Sequence, residues 1–299
     1  GMLSGPLAGG EATARAMFSL EPWTVRNGGY PLLLQTGESY EGEPLHDRQH
    51  PHDLFMELAL SYAHPLGDGL AASFYAGLPG EPALGPNAYP HRPSAWDSPF
   101  APIGHHWQDA THIAFGVLTA GLYTRRVRLE GSLFNGREPD ERRADIELQP
   151  LDSYSGRLQV AWGEGWCAQL SAGHLVSPER LWPGEDQTRL TASLSANRRL
   201  AGEGNLAGTL LWGVNAAHGE ATHSGLLEGG FTLPGGSQIA TGRFELVQKS
   251  GEELVLESDE VHLVGQLSFG WRFDFRHVRA VVPGIGATAM ISFLPSGLE

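Results

Sequence analysis

QTRLTASLSAN, residues 187–197, alternates without a break: Gln187, Arg189, Thr191, Ser193, Ser195 and Asn197 against Thr188, Leu190, Ala192, Leu194 and Ala196. A period of two over eleven residues is a β-strand with one wet and one apolar face. The pattern recurs on both sides of it. Arg126, Arg128, Glu130 and Ser132 oppose Val127, Leu129, Gly131 and Leu133. Ser153, Ser155, Arg157 and Gln159 oppose Tyr154, Gly156, Leu158 and Val160. Thr241, Arg243 and Glu245 oppose Gly242, Phe244 and Leu246, and His262, Gln266, Ser268 and Arg272 oppose Leu263, Leu267, Phe269 and Trp271. These stretches run to about ten residues, enough to cross a bilayer at a tilt and longer than the usual five or six.

The connectors sort by length. Short ones fall at 65–69, 124–125, 163–165, 201–204, 234–236 and 274–276; long ones fall between them at 79–110, 136–152, 176–186, 216–222 and 248–260. A soluble sandwich has no reason for this sorting, whereas an outer-membrane barrel has tight periplasmic turns and long outer loops. Aromatics at strand ends (Tyr62, Tyr123, Tyr154, Trp162, Trp166, Phe273) sit where interfacial girdles belong. The expected fold is therefore all-β, one antiparallel transmembrane β-barrel domain over residues 1–299. With a first hairpin at 2–7 and 11–20 and a last strand over 278–293, about fourteen strands are present. Barrels of this kind hold both termini in the periplasm and have an even strand number. The expectation is then a fragment of about sixteen strands, lacking at least one at each end, with an aqueous lumen of porin size.

Bulk properties agree. The 299 residues include 40 Gly, 20 Pro and 18% charged residues, at a mean hydropathy of −0.21. No apolar run reaches the ~18 residues of a membrane helix. A net charge of −14 argues against nucleic acid as a partner and suits a cation-attracting pore or plain solubility. The single cysteine, Cys167, excludes an internal disulfide and a multi-cysteine zinc site. No leader is visible, and Gly1 is not an initiator residue.

The inward row supplies candidate pore-lining residues: Arg126, Arg128, Glu130, Arg157, Arg189, Glu228, Arg243, Glu245 and Arg272. So many charges suit water and not a dry core. Two long connectors hold a second group of candidates. Eight of the 13 histidines (His46, His50, His52, His64, His91, His105, His106 and His112) fall in the first 112 residues. His50, His52, His105, His106, Asp109 and His112 form a candidate transition-metal set, since imidazole and carboxylate suit zinc, copper or nickel. Pro51 holds His50 and His52 extended, on one side of the chain. The spacing matches no tight metal motif, and hydrogen-bonded loop packing accounts for the same residues. The density of Trp, Pro and His in 83–108 points to an ordered loop, able to fold into the barrel mouth. No enzyme is expected. Gly-x-Ser-x-Gly is absent, Ser94 near His91 and Ser153 after Asp152 are chance-level pairings, and Glu138 with Asp140 reads as a solvated loop.

Six stretches resemble an uncharacterised family of Gram-negative outer-membrane β-barrel, porin-like proteins: residues 30–38 (YPLLLQTGE), 47–58 (DRQHPHDLFMEL), 80–86 (GEPALGP), 105–112 (HHWQDATH), 134–141 (FNGREPDE) and 151–158 (LDSYSGRL). The resemblance covers nearly the whole chain and implies an exported barrel in the outer membrane, with chain before residue 2 and beyond residue 299. It implies no substrate. Some members carry a Met- and His-rich N-terminal stretch suggestive of a soft metal, which this sequence lacks. The expected function is passive, porin-like passage of small polar solutes or ions, with outer-membrane lipid as surroundings and neither monomer nor trimer favoured. The alternatives are an outer-membrane metal-handling protein and a soluble all-β binding protein.

Overall fold

The computed structural model describes residues 1–26, 28–109, 114–217, 219–257 and 260–295. The strands in chain order are β1 (Met2–Leu7), β2 (Gly10–Phe18), the short loop strands β3 (Tyr30–Pro31), β4 (Glu38–Tyr40), β5 (Glu43–Leu45) and β6 (Arg48–Gln49), then β7 (Phe55–Gly67), β8 (Leu70–Gly80), β9 (Ala114–Tyr123), β10 (Val127–Phe134), β11 (Ser153–Trp162), β12 (Trp166–Leu175), β13 (Gln187–Arg199), β14 (Asn205–Ala217), β15 (Glu220–Thr232), β16 (Gln238–Ser250), β17 (Val261–Asp274) and β18 (Gly284–Phe293). Two one-turn helices, α1 (Glu21–Thr24) and α2 (His105–Gln108), lie in the long connectors.

Fourteen strands make one sheet in the order β1-β2-β7-β8-β9-β10-β11-β12-β13-β14-β15-β16-β17-β18, each antiparallel to the next. This is the up-and-down order of a membrane barrel, and its strand count matches the sequence reading. The register carries the apolar rows across strands. Leu194 pairs with Leu210, which pairs with Leu227, and Leu170 pairs with both Leu158 and Ala192. These outward leucines stay exposed; Leu210 is 56% and Leu227 57% accessible. A soluble sandwich would bury such a row against a second sheet. Among the described residues no second sheet covers it, and an apolar belt of this extent calls for lipid. Aromatics bound the belt. Trp162 stacks on Trp166 at 6.3 Å near the short turns, and Tyr154 lies 5.4 Å from His174 at the other end. Tyr154 and Trp162 are eight residues apart in β11, roughly 26 Å of strand at ~3.3 Å per residue, or about 20 Å along the membrane normal at a tilt of ~40°, most of the height of a membrane barrel's apolar band. No helix among the described residues is long and apolar enough to cross a membrane; the crossing is made by strands. The fold is an antiparallel transmembrane β-barrel of the outer-membrane type, and this architecture places the chain in a Gram-negative outer membrane.

Two connectors differ from expectation. The 216–222 stretch is no long loop, because the ladder continues through Asn215↔Thr222, Ala216↔Ala221 and Ala217↔Glu220. Cross-strand pairing there overrides the small, polar, turn-like composition. Conversely, the 274–276 turn extends to residue 283. Val278 and Val281 bridge each other, and Pro283, without an N–H for the ladder, delays the last strand to Gly284.

The larger departure is inside the sheet. The connectors between β2 and β7 and between β8 and β9 fold against the concave face, so the lumen is not the open aqueous one expected. Ile103, Trp107 and Leu34 from these connectors pack on Val247 and Val264 of β16 and β17. Leu84 packs with Val117, Phe134 and Leu175. Leu32, Tyr89, Ala95 and Ala101 form a third cluster with Met290 against it. The inward rows of β14–β17 are accordingly mixed. Leu211, Leu226, Val247 and Val264 are buried among the charges. Gly213 permits a close approach, since a Cβ there would run into the Trp107 carbonyl.

Candidate functional site

Three sites line the interior. The first anchors the inserted loop. Glu228 of β15 accepts from Arg92 Nε (2.8 Å), Ser94 Oγ (2.8 Å) and Arg243 Nε (3.0 Å). Arg92 Nη1 also reaches Asp109 Oδ2 at 2.5 Å, and Ser94 meets Thr209 of β14 at 2.8 Å. Arg243 Nη1 donates to the Phe100 carbonyl at 2.9 Å, and the Gly104 N–H points at Glu245 at 3.4 Å. Further along the wall, Trp107 Nε1 donates to Thr222 and Gln108 to Ser224, at 2.8 and 2.7 Å. Lys249 Nζ donates to Thr36 Oγ1 at 2.6 Å and lies 5.1 Å over the Trp107 ring. Burial pushes the Asp109 carboxyl up, against the pull of Arg92.

The second site is a polar cavity of about 410 Å³ between the inserted loop and the wall formed by β2 and β7–β11. Its charges alternate. Arg15 faces Glu57 at 3.7 Å, Arg157 holds Glu130 at 2.9 Å, Arg128 is 3.4 Å from Glu130, and the loop's His91 contacts Glu81 at 2.5 Å. Tyr75 donates to Glu57 at 3.0 Å. The hydrogen bond to Glu81 raises the His91 pKa despite partial burial. A second opening, about 470 Å³, lies past Trp96–Phe100 against β16–β18, where Arg272 bridges Asp97 and Asp274 at 2.8 Å each.

The third site is a buried histidine cluster where the two inserted connectors meet. Nitrogens of His50, His105 and His106 all lie within 4.8 Å of one another. The His105 and His106 ring centroids are 4.1 Å apart, and each is 6.2 Å from His50. His50 Nε2 is 2.6 Å from Glu38 Oε1, and Glu38 Oε2 takes Arg143 at 3.2 Å. His106 Nδ1 is 3.4 Å from Glu138, and its carbonyl accepts from Asn215 at 3.0 Å. Burial alone would raise the Glu38 carboxyl, but His50 and Arg143 outweigh it and hold it at about 2. Burial drives His106 down to about 3, keeping it neutral, and pushes Asp53 up to about 7.

The nine pore-lining candidates divide among these sites. Arg128, Glu130 and Arg157 line the first cavity, and Arg272 borders the second. Glu228, Arg243 and Glu245 anchor the loop. Arg189 is buried beside Asn215 and Gln187, at 2.8 and 2.9 Å. Arg126 sits exposed in the short 124–126 turn. Of the six metal candidates, His50, His105 and His106 converge. His52 turns to Glu21 at 2.9 Å and Asp109 to Arg92, while His112 lies outside the described residues. Sequence reading missed Arg15, Glu38, Glu81, Arg92 as an anchor, and Lys249. Lys249 shares the phase of Arg243 and Glu245, so continuing the alternation would have found it. The others meet their partners only through the fold.

No protein-family model matches the chain, and no curated protein matches it. Solved structures do. The chain is similar to OpdQ of Pseudomonas aeruginosa at 7% identity, covering 97% of this chain and 75% of that one, with a TM-score of 0.44. It is similar to an anion-selective porin from Comamonas acidovorans at 14% identity, covering 72% and 73%, TM-score 0.44. A BenF-like porin from Pseudomonas fluorescens Pf-5 matches at 8% identity, covering 99% of this chain and 72% of that one, again at 0.44.

Proposed function

We propose that this chain is a porin-like channel that passes small polar solutes or ions down their gradient, and not an enzyme. One observation carries the reading: a polar cavity of about 410 Å³, lined by Arg15, Arg128 and Arg157 interleaved with Glu57, Glu81 and Glu130, lies inside a sheet whose outer face is apolar. Charges of both signs along one wall can replace the hydration of a passing ion or zwitterion without trapping it. The inserted loop narrows the path, so flux is that of a restricted channel and not of an open pore. Single-channel recording in planar bilayers tests this. Steady, small conductance steps are expected, and an electrically silent, correctly inserted protein would sink the reading.

Selectivity should follow pH through His91. Its pKa is raised by Glu81, so the imidazolium persists below that raised value and its positive charge leaves the cavity as pH climbs through it. The cation-to-anion permeability ratio, read from reversal potentials in a salt gradient, should therefore increase from acid to alkaline pH. His91→Asn should flatten that dependence.

A further inference from the structure

We propose that His50, His105 and His106, with Glu38 as an oxygen donor, form a binding site for one late first-row transition-metal ion, which pins the two inserted connectors to each other. The inference is independent of conduction and stands or falls separately from the channel reading.

Several observations converge. Three imidazoles and no thiolate make a borderline donor set, suited to zinc, cobalt, nickel or copper and poorly suited to magnesium or calcium. A tetrahedral zinc ion binds nitrogen at about 2.0–2.1 Å, which sets ligand atoms roughly 3.4 Å apart. The present spacing, within 4.8 Å, closes to that by small side-chain rotations. His50 Nδ1 lies 3.1 Å from the Pro51 carbonyl, and donating there leaves the Nε2 lone pair as the outward face. Ligating histidines are commonly oriented by such a hydrogen bond from the other ring nitrogen. That lone pair then confronts the Glu38 carboxylate at 2.6 Å. Two acceptors so close require a cation between or beside them, either a proton or a metal ion.

His106 adds an independent sign. Among the described residues its Nε2 is buried without a hydrogen-bond partner, although its Nδ1 side and carbonyl are both engaged. Leaving a buried nitrogen unmade costs about 1–3 kcal/mol, which a metal bond would reverse. The surroundings also fix the ring. Gly37, at φ +107°, lies flat against His106, where a Cβ would come to 2.9 Å from Cγ. Arg143 holds the far oxygen of Glu38, leaving Oε1 on the histidine side.

His50 and Glu38 belong to the connector between β2 and β7, and His105 and His106 to the one between β8 and β9. An ion here would tie one to the other inside the barrel. Other histidines among the described residues meet carboxylates elsewhere: His52 contacts Glu21, His91 contacts Glu81, and His174, on the outward face beside Tyr154, contacts Asp186.

The test uses untagged protein, folded in detergent and freed of metal by chelation, titrated with Co2+, Zn2+ and, as control, Mg2+. One Co2+ per chain with the intense visible bands of a tetrahedral site is expected, displaced by Zn2+ and ignored by Mg2+. His50→Gln and the double variant His105→Gln/His106→Gln should each lose stoichiometric binding, whereas His91→Gln should retain it. The heat-dependent gel shift of each variant reports its folding. X-ray absorption of zinc-loaded wild type needs no variant and should show three imidazoles and one oxygen donor. A wild type that binds no ion, a site with fewer than two imidazoles, or binding that survives in the folded double variant would overturn the proposal.

Discussion

Glu228→Ala should cost about 3–5 kcal/mol of stability, the range for stripping one partner from a buried ion pair. Arg92 and Arg243 both lean on this carboxylate and are almost inaccessible. Removing it leaves Arg92 with Asp109 as its carboxylate partner, Arg243 with the Phe100 carbonyl and a more distant Glu245, and Ser94 with Thr209. Glu228→Gln keeps acceptor geometry for one arginine and for Ser94, so its loss should be smaller. Denaturant unfolding in detergent, followed by the heat-dependent mobility shift, gives the stability. Bilayer recording gives the second readout, since loss of the anchor should free the loop and raise conductance. A stability change below about 1 kcal/mol would show the pair to be solvated, and the loop to be held by its apolar clusters alone.

Leu210→Arg should be nearly as costly for the opposite reason. Leu210 lies mid-strand in β14 between Leu194 and Leu227, on the outward face. A lipid-facing arginine at the bilayer midplane costs about 2–4 kcal/mol and close to zero near the interfaces. Leu206→Arg, four residues nearer the short turn, should therefore cost less. The neighbouring Leu211, 1% exposed and facing inward, should tolerate Ala poorly, at about 2–5 kcal/mol for the cavity left. Reversible folding into lipid vesicles measures all three. Equal costs at 206 and 210 would contradict a bilayer-spanning belt.

How much of this was legible depends on range of contact. The rows in β10, β11, β13, β16 and β17 announced themselves, because a period of two is a local property that each strand carries alone. The strand count followed from them. The inserted connectors did not, since Thr36 meets Lys249 and Arg92 meets Glu228 across 213 and 136 residues, and no local pattern encodes such pairs. One signal was present and went unread. The polar phase of β14–β17 contains Leu211, Leu226, Val247 and Val264, which a water-filled lumen has no use for and an inserted loop needs. Among the histidines, proximity in sequence was a poor guide. His52 and Asp109 are each within three residues of a cluster member yet turn to other partners.

The same long spans dictate an order of events as the chain folds. Each connector is synthesised well before the wall that receives it: the 92–109 stretch must wait for β14–β16, and Thr36 must wait for Lys249. Contacts that close such distances form late, because chain entropy must be overcome before they repay it. The sheet can thus curl with its interior still vacant, and the connectors settle afterwards. A newly inserted molecule should be leakier than a mature one, tightening as its interior fills.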